Sequence, residues 1–186
     1  RAKQGSVGLP HFFTEIRIID DAVRVAPPGV VGEIEVQGPN VFRGYHRLDE
    51  ATRASLTDDG GFRSGDLGYL DDDGYLYICG RSKDMIISGG ENIYAAEVEA
   101  SLSDVPGVTG VAVIGIPDER WGEVPIAVVT VAEGASVDTE TVRAHLDGRL
   151  ARYKLPKRVD VVADLPRTAS GKVMKNELRA RLGLPA

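Results

Sequence analysis

Three short stretches of this 186-residue chain hold residue types that could do chemistry. In Arg63-Ser64-Gly65-Asp66 the glycine lets the backbone turn sharply and approach a ligand. The adjacent carboxylate could accept hydrogen bonds from two vicinal hydroxyls, as acidic residues do on ribose. A plain Gly-Asp turn would use the same letters. Residues 80–94 read Gly-Arg-Ser-Lys-Asp-Met-Ile-Ile-Ser-Gly-Gly-Glu-Asn-Ile-Tyr. Arg81 can fork two hydrogen bonds onto a sugar or carboxylate, and Gly89-Gly90 leaves room for a narrow ligand against the backbone. A hairpin with charged turns is the alternative. The third stretch is Leu165-Pro166-Arg167-Thr168-Ala169-Ser170-Gly171-Lys172. A phosphate-binding P-loop needs glycine five residues before the glycine of Gly-Lys, and Ser or Thr after the lysine. Pro166 and Val173 stand in those places, so the motif is a different one: a polar, mobile loop carrying one lysine.

The elements that must position these stretches fall into two textures. Residues 1–80 are short β-like runs broken by turn residues. Residues 15–19 and 32–36 alternate with period 2. Asp71-Asp72-Asp73-Gly74 lies between two apolar runs and reads as a hairpin turn. A calcium loop begun at Asp71 would need an acid where Tyr75 stands, and no metal site is assigned. One helix is expected over 48–56, and the many short strands suggest a small barrel or a twisted sheet. Residues 84–186 alternate helix and strand. Helices are expected over 95–103, after an N-cap at Asp138 with Val142, Leu146 and Leu150 on one face, and over 175–182 with Gly183 and Pro185 closing it. Strands are expected over 108–116, ended by Pro117-Asp118, and over 126–131 and 158–162. The expected fold class is α+β: a small β-rich, barrel-like subdomain over 1–82, then a lid over 83–186 with a three-stranded sheet flanked by helices. The joint falls near residues 80–84.

Composition narrows the class. The chain is 42% hydrophobic and 27% charged, ordinary for a globular protein. No apolar run approaches 20 residues, so no transmembrane helix is expected, and Arg1-Ala2-Lys3-Gln4-Gly5 has no signal-peptide core. The single cysteine, Cys79, excludes an internal disulfide and fits a reducing cytosol. It is expected as a small core residue. A cytoplasmic protein is expected, with peripheral membrane association left open. The net charge of -6 argues against a general nucleic-acid binder. Yet residues 149–181 hold ten Lys/Arg against Asp160, Asp164 and Glu177. A basic stretch in an acidic chain suits a local anionic ligand such as a polyphosphate nucleotide. A solvated amphipathic end is the bland alternative.

Taken together and in order, the three motifs resemble those of the adenylate-forming superfamily: acyl-CoA synthetases, peptide-synthetase adenylation domains and firefly luciferase. Arg-Ser-Gly-Asp resembles its (Arg/Lys)-Thr-Gly-Asp ribose motif, with Ser64 for the usual threonine. Gly-Arg-x-Lys-Asp-x-Ile-x-x-Gly-Gly-Glu-Asn-Ile-Tyr resembles its hinge motif, with Ala95 where many relatives have proline. Pro-Arg-Thr-x-Ser-Gly-Lys resembles its catalytic-lysine motif. The likeness runs from about Gly5 to Leu182. It implies the following roles. Asp66 and Arg81 bind the ribose of ATP or AMP. Lys83 is the hinge between the large adenylation domain, whose β-rich end is 1–82, and the lid. Gly89 and Gly90 line the pantetheine tunnel of coenzyme A, with Trp121 at its mouth. Lys172 reaches the carboxylate and α-phosphate.

The implied reaction joins a carboxylic acid to ATP, releasing pyrophosphate, and then passes the acyl group from AMP to coenzyme A. Mg2+ accompanies the ATP. The superfamily's phosphate loop and its adenine and magnesium segment are not among these residues. They are expected upstream in the same enzyme, so the isolated chain is expected to be incompetent for the full reaction. A fatty acid is the expected acyl class. The alternatives are an adenylation domain that loads a carrier protein and a non-catalytic fragment or interaction module. The end of the chain about ten residues after Val173 favours a free-standing ligase, and intact Asp66, Arg81 and Lys172 argue against decay.

Overall fold

The computed structural model describes residues 3–184. They fold as two compact units, divided between Lys83 and Asp84. The first holds strands β1 (Glu15–Ile19), β2 (Gly32–Gln37), β3 (Phe62–Leu70) and β4 (Leu76–Arg81), with helix α1 (Asp49–Ser55) between β2 and β3. The sheet order is β1-β2-β3-β4, each strand antiparallel to the next. The expected barrel is replaced by an open sheet. Closure takes more strands than four, and the buried apolar side chains here are few: Ile18, Ile34 and Leu67. The hairpin at 71–74 is as expected. Asp71 Oδ1 accepts the N–H groups of Asp73 and Tyr75, and Lys3 Nζ clamps Asp71 and Asp73 at 2.8 and 2.6 Å. Cys79 lies half-buried in β4 rather than in the core.

The second unit holds β5 (Met85–Ser88), β6 (Glu91–Tyr94), α2 (Ala95–Leu102), β7 (Val108–Asp118), β8 (Gly122–Val131), α3 (Thr139–Leu146), β9 (Val159–Val161) and α4 (Lys175–Arg181). Its sheet runs β6-β5-β8-β7, with β9 parallel on β8. Five strands therefore stand where three were expected. The added pair is the hairpin β5–β6, the alternative reading of residues 80–94. β7 and β8 are covered on both faces, which is why they read as nearly continuous apolar runs. Val113, Ala127 and Val129 face α2 and α3 through Val98, Leu102, Val142 and Leu146. Ala112, Ile114, Ile126 and Val128 face α4 through Leu165 and Leu178. Each buried Val, Leu or Ile among them contributes on the order of 1.5–3 kcal/mol.

Two boundaries moved for identifiable reasons. β7 runs through Pro117 because it is a sheet edge. Pro117 shares the outward parity of Val113 and Gly115, so its missing N–H costs no ladder bond. α3 stops at Leu146, two residues before Gly148 at φ +74°, and Leu150 rejoins the core from the following turn. Asp138 caps α3 as expected, accepting the Thr141 N–H at 2.8 Å. Gly183 follows α4 at φ +64°, and Pro185 lies outside the described residues. No helix among the described residues is long and apolar enough to cross a membrane.

Candidate active site

Within the first unit, β3 and β4 bring Asp66 and Arg81 together as cross-strand partners. Arg81 Nε lies 2.8 Å from Asp66 Oδ1, and Arg81 Nη1 donates to the Ser64 carbonyl at 3.3 Å. The Asp66 N–H donates to Ser64 Oγ at 3.0 Å. The hydroxyl that Ser64 retains in place of threonine thus closes the turn. Gly65 sits there at φ +71°, a conformation L side chains rarely adopt. The Asp66 side chain is 31% exposed, leaving its second oxygen open to a ligand. Lys83 sits exposed in a single turn of 3-10 helix, Ser82–Asp84.

Within the second unit, the β5–β6 hairpin turns at Gly89-Gly90, both in the left-handed region at φ +61° and +87°. Gly89 and Trp121 meet. The Gly89 N–H donates to the Trp121 carbonyl at 2.7 Å. A Cβ on Gly89 would stand 2.8 Å from indole Cε3, so the ring lies on bare backbone. Nothing lies near the equivalent point on Gly90. Asp118 pins the loop that carries the indole: its Oδ1 accepts the N–H groups of Arg120 and Trp121 at 3.0 Å, and its Oδ2 meets Lys157 at 2.9 Å. Lys157 and these N–H donors hold the Asp118 carboxyl below its ordinary range. The Arg120 guanidinium stacks on the indole at 4.6 Å.

Gly89 and Trp121 form one wall of a cleft of about 350 Å³ whose other wall carries Arg143, Arg152, Tyr153 and Lys157. Neither Arg143 nor Arg152 has an ion pair among the described residues. Glu91 also lines the cleft and Lys157 is paired with Asp118, so Arg143 and Arg152 are its unpaired cations among the described residues; with the two aromatic rings they suit a ligand with phosphates and a planar base. Sequence reasoning missed these four residues individually. The basic density of 149–181 was the signal for Arg152, Tyr153 and Lys157, with Arg152-Tyr153-Lys154-Leu155-Pro156-Lys157-Arg158 at its core, whereas nothing in the sequence marked Arg143 of α3.

Lys172 lies outside the residues lining that cleft. Its loop is ordered rather than loose. Thr168 N–H donates to the Lys172 carbonyl at 2.8 Å and Gly171 N–H to the Thr168 carbonyl at 2.9 Å. Arg167 Nη1 holds the Gly171 carbonyl at 2.8 Å. This closed turn presents Lys172 exposed, its ammonium without a partner among the described residues. No group of three or more His, Cys, Asp or Glu among the described residues is placed to hold a metal ion.

Residues 97–172 match the family described as AMP-binding enzyme C-terminal domain, and residues 1–46 match the AMP-binding enzyme family. The chain belongs to the AMP-binding, adenylate-forming enzymes. It is 52% identical over 181 residues to a feruloyl-CoA synthase of an Amycolatopsis species, covering 97% of this chain and 37% of that protein. It is 50% identical to an indoleacetate–CoA ligase of Aromatoleum aromaticum, covering 95% of this chain and 34% of the relative. The o-succinylbenzoate CoA synthetase of Bacillus subtilis, solved with its acyl-adenylate intermediate, superposes with a TM-score of 0.88 at 44% identity, over 95% of this chain and 36% of that one. The chain thus spans little more than a third of the length of the relatives it matches.

Proposed function

We propose that this chain is the C-terminal portion of an ATP-dependent acid–thiol ligase whose thiol substrate is coenzyme A. The observation that carries the reading is the cleft beside Gly89 and Trp121, lined as well by Arg143, Arg152, Tyr153 and Lys157. A thiol on a slim pantetheine arm would pass Gly89, with Trp121 at the mouth and Gly90 beside it, while the cations and rings take its nucleotide end. That favours coenzyme A over a carrier protein, whose pantetheine bears no such nucleotide.

In the first step a carboxylate oxygen attacks the α-phosphorus of ATP. The α–β phosphoanhydride bond breaks and pyrophosphate leaves. Lys172 is the proposed point charge for the oxygens of the pentavalent phosphorus. Asp66 accepts the ribose 2′ and 3′ hydroxyls, and Arg81 holds Asp66 and assists on the sugar. In the second step the thiol gives up its proton to solvent, its sulfur attacks the acyl carbon, the bond from that carbon to the phosphate oxygen breaks, and AMP leaves. Lys172 and the Gly89 cleft serve different steps. The proposed hinge at Lys83 lets the lid, 83–186, present them in turn against the domain that 1–82 completes. The phosphate loop belongs to the remaining portion of the same enzyme. Fatty acids are one acyl class among those in the relatives' names, alongside ferulate and indoleacetate.

A crossed pair of half-reaction assays on the intact enzyme tests this. Lys172→Ala should slow pyrophosphate release by about 10²-fold, the usual loss for one transition-state stabiliser. It should spare thioester formation from supplied acyl-AMP. Lys83→Pro, which fixes φ and restricts the preceding residue, should do the reverse. Loss of the same half-reaction in both variants would refute the alternating lid.

A further inference from the structure

The lysine turn is held at its C-terminal end by a helix with a particular seat. In an antiparallel ladder the N–H and C=O of one residue point to the same side. On the edge strand β7 the odd-numbered residues from Val111 to Pro117 turn theirs away from β8. Three of those outward groups are taken by side chains. The Val113 N–H donates to Glu99 Oε1 of α2 at 2.8 Å. The Val113 carbonyl accepts from Lys175 Nζ at 2.9 Å, and the Gly115 carbonyl from Arg179 Nη1 at 2.7 Å. Lys175 Nζ also meets Glu99 Oε1 at 2.8 Å, with only 17% of its side chain exposed. Lys175 and Arg179 are i and i+4 on α4, so one helix face grips alternate carbonyls of one strand edge.

The α4 helix has seven residues and no side-chain N-cap. Its seat is made by Leu178, with Val173, Leu182 and Leu184 packed beside it, and by these two cations. Lys172 stands three residues before Lys175. The Met174 N–H donates back to the Pro166 carbonyl at 2.8 Å, and Arg167 bridges Val173, tying the turn to the helix start. We infer that Lys175 is a positioning residue for adenylation: through its grip on Val113 and Glu99 it fixes where Lys172 leaves the unit. The inference rests on the reading of Lys172 given above. A misplacement of about 1 Å in a group acting at a transition state can cost up to 10²-fold. A fault at Lys175 should therefore appear in one half-reaction.

The test uses the intact enzyme with Lys175→Met, which keeps length and loses the cation, and Lys175→Arg, which keeps it. Pyrophosphate release, thioester formation from supplied acyl-AMP and thermal midpoint are measured beside Lys172→Ala. Lys175→Met should slow pyrophosphate release about 10-fold and leave thioester formation within about twofold. Lys175→Arg should recover most of the loss. Should Lys175→Met fail to fold, Glu99→Gln still offers Val113 an acceptor and removes only the charge facing Lys175. It should show the same split at smaller size. Wild-type pyrophosphate release in the folded variant, or an equal fall in both half-reactions, overturns the inference. If Lys172→Ala is slowed while Lys175→Met is not, the positioning role alone fails. If Lys172→Ala is not slowed, the reading of Lys172 fails and this inference with it.

Discussion

Replacing Gly89 with alanine should both destabilise the second unit and impair the thioester step, and the contacts set the size of the first effect. Gly89 sits at φ +61°. An L residue in the left-handed region costs about 1–2 kcal/mol. The new methyl would stand 2.8 Å from Cε3 and 3.2 Å from Cζ3 of Trp121. Carbon contacts prefer roughly 3.5–4.0 Å, so the ring must swing outward by something under 1 Å. It has room, being 43% exposed. Its main chain cannot follow, because Asp118 and the Gly89 N–H hold it. The swing therefore falls on χ torsions, at about 0.5–1.5 kcal/mol. The total is roughly 1.5–3.5 kcal/mol. Trp121→Ala removes the second part only. In that background Gly89→Ala should cost about 1–2 kcal/mol, giving a coupling of roughly 0.5–1.5 kcal/mol. Urea unfolding followed by circular dichroism on the four proteins of the cycle measures it. Trp121, the chain's one tryptophan, also reports the ring's new surroundings by fluorescence. In the intact enzyme the apparent KM for coenzyme A should rise and pyrophosphate release should not change. A coupling near zero, or an unchanged midpoint for Gly89→Ala, would show that the ring does not rest on this glycine.

Three further outcomes are expected. In the intact enzyme Asp66→Ala should weaken ATP binding by on the order of 2–4 kcal/mol, the loss of a carboxylate taking two hydroxyl bonds; an unchanged apparent ATP affinity would remove the ribose role. Asp118 has a depressed folded pKa, so the stability it lends is present above its unfolded value near 4 and is lost as pH falls through the folded one. Acid titration of Trp121 fluorescence should thus show a transition below about pH 4 that Asp118→Asn abolishes, and identical curves would count against it. Quantitative acetylation of Lys172, which removes its charge, should stop pyrophosphate release, and a fully acetylated enzyme that adenylates normally would contradict the lysine's role.

Local physics made part of this molecule readable in advance. Period-2 alternation located β1 and β2, and the turn chemistry of residues 71–74 located the β3–β4 hairpin. Asp138 announced the start of α3. The order of the three motifs indicated which residues to watch. What stayed hidden depends on contacts between residues far apart in the chain. That the indole of Trp121 lies on Gly89 follows from β5 pairing with β8 at Ser88 and Gly122, which no window of either segment reveals. The cations of the cleft come from α3 and from the segment before β9, so their convergence is tertiary. β6 was missed because four residues after a Gly-Gly turn carry too little pattern to compete with the helix that follows. The loop before Lys172 read as mobile because its letters are polar, yet those polar groups bond one another and close it.

The placement of the two reactive features within one unit bears on why the proposed chemistry calls for movement. The Gly89 cleft belongs to the β5–β6 hairpin and the start of β8, whereas Lys172 precedes α4 and lies outside the cleft lining. Both must nevertheless work within one acyl phosphate: Lys172 on oxygens of the α-phosphorus, the thiol on the acyl carbon beside it. A unit whose core packs α2, α3 and α4 on both faces of one sheet does not deform to bring separate surfaces to one point. It can turn as a body, which demands a chain segment able to change φ and ψ without breaking a core. Residues 82–84 meet that demand: a single 3-10 turn with no buried side chain, at the division between the two units. These features support the proposed pivot at Lys83; with a lid turning there, the half-reactions should be separable by mutation.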